Sequence, residues 1–185
     1  MEYLRVDDDL HLEKVKLSHA ELIFNTIEQN RQYLRRWLPF VDQTRTTDDS
    51  RKFVKMLLSD QEKNRNEVFT IWYKGKFAGL AGFKEMDYIN HKTEIGYWLA
   101  EDMQGRGIMS KTVWKMIDYG FRNLNFNRIQ IKVATGNAKS AAIPALLGLV
   151  FEGTERNGEY HTDRYFDLQV FSILKSEWLD YLTRP

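Results

Sequence analysis

The chain has 185 residues, of which 43% are hydrophobic and 14% aromatic, and this predicts a single folded domain over residues 1–185 with a core from about residue 10 to about residue 182. Lys and Arg number 27 against 26 Asp and Glu, so the sequence lacks the basic excess typical of nucleic-acid-binding proteins. The chain has no cysteine, which excludes disulfides, cysteine-ligated zinc and a covalent cysteine intermediate.

The first residues of the chain argue against secretion or membrane insertion. The segment Met1–Asp9 is acidic and contains no apolar stretch of signal-peptide length. No apolar run elsewhere approaches the ~20 residues that a helix needs to cross a bilayer. We therefore expect a cytoplasmic protein that contacts neither membrane nor nucleic acid.

The N-terminal segment predicts one strand followed by helices. Residues Leu10–Lys16 alternate as a short strand, and Ser18 and Glu21 have the spacing of a capping box that starts the first helix. A second short helix is predicted over Arg31–Trp37, and it ends before Pro39.

A third helix and three strands are predicted next. The helix begins near Thr47, and its apolar face consists of Phe53, Val54, Leu57 and Leu58. Segments rich in β-branched and aromatic residues then predict strands over Val68–Tyr73, Phe77–Phe83 and Thr93–Ala100. A turn at Lys74–Gly75 joins the first two of these strands.

The C-terminal half completes a mixed pattern. It predicts a helix over Ser110–Leu124, a strand over Arg128–Val133, a helix over Ser140–Leu147, and strands over Val150–Glu155 and Arg164–Leu174 joined by a hairpin turn at Asn157–Gly158. The whole order predicts an α/β (α+β) fold with a mixed, mostly antiparallel central sheet flanked by helices. One parallel pair of strands is expected, joined through the helix that follows the glycine-containing segment described next.

The segment from Gln104 to Met109 lies between a predicted strand and a predicted helix. Gly105 and Gly107 permit a tight turn and a close approach to a ligand. The first N–H groups of the following helix and the positive end of its dipole suit a pyrophosphate, and Arg106 adds a positive charge. The segment lacks the ending of a Walker loop and the third glycine of the dinucleotide fingerprint, so by itself it is a weak phosphate signal.

The segment and its surroundings resemble the GNAT acetyltransferase family, whose signature is Gln or Arg, two residues, Gly, one residue, then Gly or Ala. The signature falls here on Gln104, Gly107 and Met109. Further matching segments are Glu94–Ala100, Asn137–Ser140, Leu147–Leu149, Glu152–Gly153 and Asp167–Leu168. Their order and spacing are most similar to the branch that contains the ribosomal-protein N-terminal (serine or alanine) acetyltransferases.

The chain departs from the family pattern at four positions. Met109 replaces the usual Gly or Ala, as it often does in this branch, and Leu149 replaces a usual Phe. Ala145 and Leu146 stand where a polar and a basic residue are usual. We expect these last two changes to weaken contacts near the nucleotide end of the cofactor or to expose an apolar patch.

The resemblance implies that acetyl-CoA is the cofactor. The cofactor-binding residues that it implies are Trp98, Leu99, Ala100, Gln104, Gly105, Arg106, Gly107, Ile108, Met109, Ser110 and Asn137. The strand before the loop would bind the pantetheine arm through its backbone, and Asn137 would bind a pantetheine amide.

Two side chains are candidates for the acid–base chemistry. Glu94 would take the proton of the amine directly or through water, the alternative being a surface or salt-bridged glutamate at a strand end. Ser140 would donate to the leaving sulfur, with Tyr160 or Tyr165 as substitutes, the alternative being that Ser140 and Asn137 only cap the next helix. No residue has the setting of a covalent nucleophile, so we expect direct attack of the amine on the thioester.

The acceptor amine stays open at this level. In the resembled branch the region of Trp37 and Phe40 borders the acceptor pocket, and an anchor for the helix pair is the alternative role. A protein N-terminus is the first hypothesis; a polyamine, amino sugar or antibiotic is the second, and a non-catalytic acetyl-CoA-binding regulatory protein is the third. A polyamine would favour an acidic pocket, and only Asp42, Asp48 and Asp49 cluster in the early loop. The scattered histidines predict no metal site, and the branch suggests a homodimer or larger homo-oligomer.

Overall fold

Eight strands and six helices make up the part of the chain that this computed structural model describes, residues 3–161 and 163–183. The strands are β1 (Tyr3–Arg5), β2 (Leu10–Lys14), β3 (Glu67–Tyr73), β4 (Lys76–Asp87), β5 (Lys92–Leu99), β6 (Arg128–Ala134), β7 (Val150–His161) and β8 (Arg164–Leu174). The helices are α1 (Ala20–Gln29), α2 (Arg31–Leu34), α3 (Thr47–Glu62), α4 (Ile108–Arg122), α5 (Ala138–Leu146) and α6 (Lys175–Leu182). Short 3-10 turns lie at Leu17–His19, Pro39–Asp42 and Glu101–Met103.

The strands form one sheet in the order β1-β2-β3-β4-β5-β6-β8-β7. Neighbouring strands are antiparallel except β5 and β6, which are parallel and are joined by α4. The prediction of a mixed, mostly antiparallel sheet with one parallel pair is therefore confirmed.

The parallel pair is short, and this shapes the middle of the sheet. Only three residues of each strand are paired, with Lys92 opposite Arg128 and Glu94 opposite Gln130 as the first and last pairs. Beyond that point β5 continues beside β4 as far as Leu99. β6 continues beside β8 as far as Ala134. The two strands separate, and the sheet has an opening between them.

Two apolar cores lie on opposite faces of the sheet. Along β5, Ile95 packs into the core that includes α4, whereas Trp98 packs into the core that includes α1 and α3. Residues an odd number of positions apart in a strand point to opposite faces, so this division follows from the alternation of the strands. On the α4 side, Val113, Met116 and Ile117 are completely buried, as the helical spacing predicts.

Several local predictions are confirmed. Lys74 and Gly75 both have positive φ, 50° and 73°, and they form the turn between β3 and β4. α3 begins where it was predicted, because the Thr46 hydroxyl accepts the N–H of Asp49 while the Asp49 carboxylate accepts the N–H of Thr46.

The start of α1 and the extent of α2 were predicted wrongly. The N–H of Lys16 donates to His19 Nδ1 over 3.1 Å, so a 3-10 turn precedes α1, and Ser18 forms no capping box with Glu21. α2 ends at Leu34, before the predicted end at Trp37. Pro39 explains part of this early end, because Leu38 has the extended backbone that a residue before proline prefers.

The predicted hairpin turn at Asn157–Gly158 is wrong as well. β7 continues through both residues to His161, and the connection to β8 lies beyond it. Asn157 has a φ of 52° in a bulge, where its N–H donates to the Asp167 carboxylate over 2.8 Å. Gly158 lies directly under Leu168, because a Cβ at this glycine would come within 2.8 Å of that side chain.

Two elements were missed. β1 has three residues and pairs with β2, and α6 follows β8 without a break. α6 is held by Trp178, which is 2% exposed and packs against Phe121 with ring centroids 5.4 Å apart. None of the described helices is long and apolar enough to cross a membrane.

The contact between β4 and β5 predicts a stability effect at Gly79. A Cβ at Gly79 would lie 2.1 Å from the Trp98 carbonyl oxygen, so Gly79→Ala must push β5 away. We expect this change to lower the free energy of unfolding by about 3 kcal/mol, measured by urea denaturation.

Gly75→Ala is the matched control for this prediction. Gly75 also has positive φ, but no atom lies within 4 Å of the place that a Cβ would take there, so only backbone strain of about 1 kcal/mol is expected. An equal loss in both variants would contradict the close approach of β4 and β5.

Candidate active site

A cavity of about 730 Å³ lies beside the end of β5, beyond the point where its pairing with β6 stops. Its wall is formed by the end of β5, the loop before α4, the first turn of α4, α5, and residues 33–38 around α2. Ile108 and Met109 belong to the core on the α4 face, and Leu34 and Trp98 belong to the core on the opposite face. The cavity therefore borders both faces of the sheet.

The loop before α4 has the geometry of an anion site. Gly105 and Gly107 both have a φ of 71°, a left-handed conformation that glycine adopts without strain. No side chain caps the first N–H groups of α4, and the Ser110 hydroxyl donates to the Gly107 carbonyl over 3.0 Å. Free N–H groups and the dipole of a 15-residue helix converge on the cavity, where they favour a negatively charged group.

The polar side chains of this loop are already engaged. Gln104 Oε1 accepts a hydrogen bond from Lys139 Nζ over 2.9 Å, and Gln104 lines the cavity. Arg106 donates to the Asp102 carbonyl over 3.0 Å, and it is exposed outside the cavity wall. Of the two, Gln104 is the residue that the structure brings to the cavity.

The free edge of β5 forms another wall. Trp98 and Leu99 line the cavity, and their strand has no partner on the β6 side beyond Glu94. Ala100 does not line it, because its N–H donates to the Ala78 carbonyl over 2.8 Å on the β4 side. The free edge offers backbone groups to an extended ligand in the way that a strand would.

Asn137 and Ser140 lie together at the start of α5, and both line the cavity. Asn137 is the N-cap, and its side-chain oxygen accepts the N–H of Ser140 over 3.3 Å. Asn137 therefore caps α5, whereas the Ser140 hydroxyl bonds to Tyr97 and does not cap the helix. A capping residue in the cavity wall also remains able to contact a ligand.

Tyr97 joins this group, and the sequence prediction missed it. The Tyr97 hydroxyl donates to the Ser140 carbonyl over 3.1 Å and accepts a long hydrogen bond of 3.4 Å from the Ser140 hydroxyl. Burial raises the pKa of Tyr97 to about 12, so the phenol stays protonated at neutral pH. The sequence signal that could have identified Tyr97 is its spacing of two residues from the buried Ile95, which places both side chains on the same face of β5.

Glu94 lies at the base of the opening and outside the cavity wall. Its carboxylate is 3% exposed, and it contacts Lys84 Nζ at 2.7 Å and Gln130 Nε2 at 3.2 Å. The stem of Lys84 crosses over Gly96, where a Cβ would come within 3.5 Å of Lys84 Cε. The Glu94 carboxylate is thus buried and ion-paired, and its part in proton transfer stays a prediction.

The aromatic residues proposed for the acceptor side separate into two groups. Trp37 lines the cavity and meets Phe166 edge to face, with ring centroids 6.3 Å apart. Phe40 stacks on Phe53 at 6.0 Å and does not line the cavity, so it anchors α3 to the preceding turn. Tyr33, Leu34 and Leu38 also line this end and were not predicted.

The two tyrosines offered as substitutes for Ser140 lie away from the cavity. Tyr160 and Tyr165 contact each other at 4.9 Å on the β7–β8 hairpin and are 54% and 61% exposed. Of the residues that depart from the family pattern, Leu146 lines the cavity rim at 74% exposure, whereas Leu149 is buried.

Charged side chains are scarce on the cavity wall. Among the described residues that line it, Glu101 is the one carboxylate and Lys139 the one cation. The rest of the wall is apolar, aromatic, glycine or neutral polar. No three His, Cys, Asp or Glu side chains within residues 3–161 and 163–183 are grouped as a metal site would require.

Comparison with known proteins identifies this arrangement. The family described as acetyltransferase (GNAT) domain matches residues 9–150. YdaF of Bacillus subtilis (strain 168), which is provisionally named a ribosomal N-acetyltransferase, is 33% identical over 94% of this chain and 96% of its own length. The ribosomal-protein-serine acetyltransferase of Escherichia coli (strain K12) is 26% identical over 92% of this chain and 96% of that protein.

A solved structure agrees with the sequence comparison. The crystal structure of the microcin C7 self-immunity acetyltransferase MccE, in complex with acetyl-CoA and AMP, superposes with a TM-score of 0.88. It is 28% identical and covers 92% of this chain, which in turn covers 95% of that one. The chain belongs to the GNAT acetyltransferase family and is an acetyl-CoA-dependent N-acetyltransferase.

Proposed function

We propose that the chain transfers the acetyl group of acetyl-CoA to the α-amine of a protein N-terminus. The observation that carries this proposal is the cavity that borders both faces of the sheet. The loop of residues 104–107 before α4, called the anion loop below, lies at one end, and a nearly uncharged apolar wall around Trp37 lies at the other. A solved acetyltransferase from Salmonella typhimurium that modifies the N-terminal serine of ribosomal protein L7/L12 is 26% identical to this chain, which supports an N-terminal acceptor.

The residues of the cavity fit the cofactor. The uncapped first turn of α4 with Gly105 and Gly107 suits the pyrophosphate, and the free edge of β5 suits the pantetheine amides. Asn137 offers an amide at the start of α5. When bound, acetyl-CoA supplies the activated thioester; the chain supplies position and hydrogen bonds.

The acceptor end favours one amine over a polycation. Leu34, Trp37 and Leu38 form an apolar wall, and Glu101 is the one carboxylate among the described lining residues. A polyamine would require several carboxylates for its charges. An α-amine has a pKa of about 8 against about 10.4 for lysine, so a larger share of it is neutral at physiological pH.

The reaction is a direct attack of the amine on the thioester carbonyl. Both substrates are held in one cavity, so orientation provides much of the rate. The Ser140 hydroxyl donates to the departing sulfur, and its bond of 3.4 Å to Tyr97 is long enough to be exchanged easily. The protonated phenol of Tyr97 positions Ser140 through its hydrogen bonds to the Ser140 carbonyl and hydroxyl.

Glu94 is the proposed acceptor of the amine's proton. It is the carboxylate at the base of the opening, where Lys84 and Gln130 fix its position. Because its carboxylate does not line the cavity, the proton reaches it through water.

A small-molecule acceptor is the second candidate. MccE, whose solved structure contains AMP, is similar over nearly the whole chain. The aromatic side chain of Trp37 at the acceptor end suits stacking on a nucleobase as well as on a peptide.

A screen of amines tests the proposed acceptor. Release of free CoA thiol from acetyl-CoA is measured with peptides that begin with Ser, Ala or Thr, and with spermidine, an aminoglycoside and an aminoacyl nucleotide. We expect kcat/KM for the best peptide to exceed that for spermidine at least about tenfold, because the cavity has too few carboxylates for a polycation. The same peptides with blocked N-termini are the control, and a preference for the aminoacyl nucleotide would move the assignment to the second candidate.

Removal of the Ser140 hydroxyl tests the donor to the leaving sulfur. Ser140→Ala should lower kcat about 30-fold, since a hydrogen bond to a charged group is lost, while the Kd for CoA measured by calorimetry stays nearly constant. Tyr97→Phe should give a smaller loss of kcat, because it acts through Ser140. A rise in Kd without a fall in kcat would assign Ser140 to cofactor binding alone.

The pH dependence of Glu94→Gln tests the proton acceptor. The loss of kcat/KM should be about a hundredfold near pH 6, where the amine is protonated, and should vanish well above its pKa of about 8. Glu155→Gln is the control. Glu155 forms an ion pair with Lys132, as Glu94 does at a longer distance, but Glu155 lies half exposed on β7. If kcat/KM falls by the same factor at every pH, Glu94 is an ion-pair partner and not the proton acceptor.

A further inference from the structure

Lys139 is the one cation among the described residues that line the cavity. It is the second residue of α5, next to Asn137 and Ser140 on the same wall. The sequence pattern gave it no role, and the acetyl-transfer chemistry described above does not use it.

The contacts of Lys139 leave its charge without a counterion. Its Nζ donates to the neutral Gln104 amide oxygen at 2.9 Å and lies 5.6 Å from the centroid of the Tyr33 ring. No carboxylate in the described part of the chain forms an ion pair with it. An exposed cation over an aromatic ring is weakly held, so the ammonium is free to change partners.

The position of Lys139 in its helix is also unfavourable. A cation in the first turn opposes the positive end of the helix dipole, where acidic residues are preferred. The first turn of α5 contains no acidic residue to compensate. Helix stability therefore does not account for a lysine at this position.

The hydrogen bond between Lys139 and Gln104 joins α5 to the loop before α4. Gln104 immediately precedes Gly105 in the anion loop, whereas Lys139 belongs to the opposite wall. The ammonium thus reaches across from α5 to the loop whose free N–H groups attract a negatively charged group. An anion bound at the loop lies next to a cation that lacks a counterion.

We propose that Lys139 is a clasp for the pyrophosphate of the cofactor. Its ammonium exchanges the Gln104 amide oxygen and the Tyr33 ring for a phosphate oxygen, and it closes the gap between α5 and the loop over the bound cofactor. The proposal rests on the cofactor placement proposed above and adds a residue that determines how tightly the cofactor is held. Charge-assisted hydrogen bonds to phosphate are stronger than the neutral contacts that they replace.

Calorimetric titration of CoA into variants of the full chain tests the clasp. Lys139→Met should raise the Kd for CoA about tenfold and reduce its dependence on salt, whereas Lys139→Arg, which keeps the charge, should stay close to the parent protein. Lys111→Met is the matched control: Lys111 lies in the first turns of α4 near the same loop, but Asp7 neutralises it at 2.7 Å. Its Kd for CoA should change little.

A second ligand identifies the phosphate. The Kd for 3′-dephospho-CoA should rise by the same factor in Lys139→Met, because that ligand keeps the pyrophosphate. A loss confined to CoA would show a contact with the 3′-phosphate and overturn the proposal, and so would an unchanged Kd for both ligands. If the parent protein binds CoA but acetylates no peptide, the proposed acceptor fails while the clasp is still tested.

Discussion

The separation of β5 from β6 is the constraint on which the rest of the site depends. Their parallel pairing ends at Glu94 and Gln130, because each strand then follows its antiparallel neighbour on the other side. The crossover helix α4 starts at the end of β5, so its uncapped N-terminus lies beside the opening. The opening, the anion loop and the free strand edge are thus three results of one change in strand pairing.

The sequence predicts the parts of the fold that are determined locally. The β-branched and aromatic residues of β3 and β5, the positive-φ turn at Lys74–Gly75 and the cap of α3 are all features of residues close together in the chain. The Asn157–Gly158 turn failed because a distant contact decides it: Leu168 covers the glycine, and Asp167 holds the bulge. α6 was missed since its stability comes from Trp178 packing against Phe121.

The candidate site divides in the same way. Gly105 and Gly107 could be identified from the sequence, because glycine adopts a left-handed φ such as their 71° without strain. The contacts of Tyr97 and Lys139 were missed, because they form only once α5 packs over β5 and faces the loop. Phe40 and Trp37 are both aromatic and close together in the chain, so the sequence does not distinguish them. In the structure Phe40 stacks on Phe53 and packs against α3.

The cavity is lined by residues that belong to both apolar cores, those of α4 on one face of the sheet and those around α2 on the other. A ligand that fills its volume of about 730 Å³ therefore contacts both cores at once. A core substitution that moves α2 against the sheet changes the same space that the first turn of α4 borders. Packing on one face of the sheet is thus coupled to ligand binding from the other face.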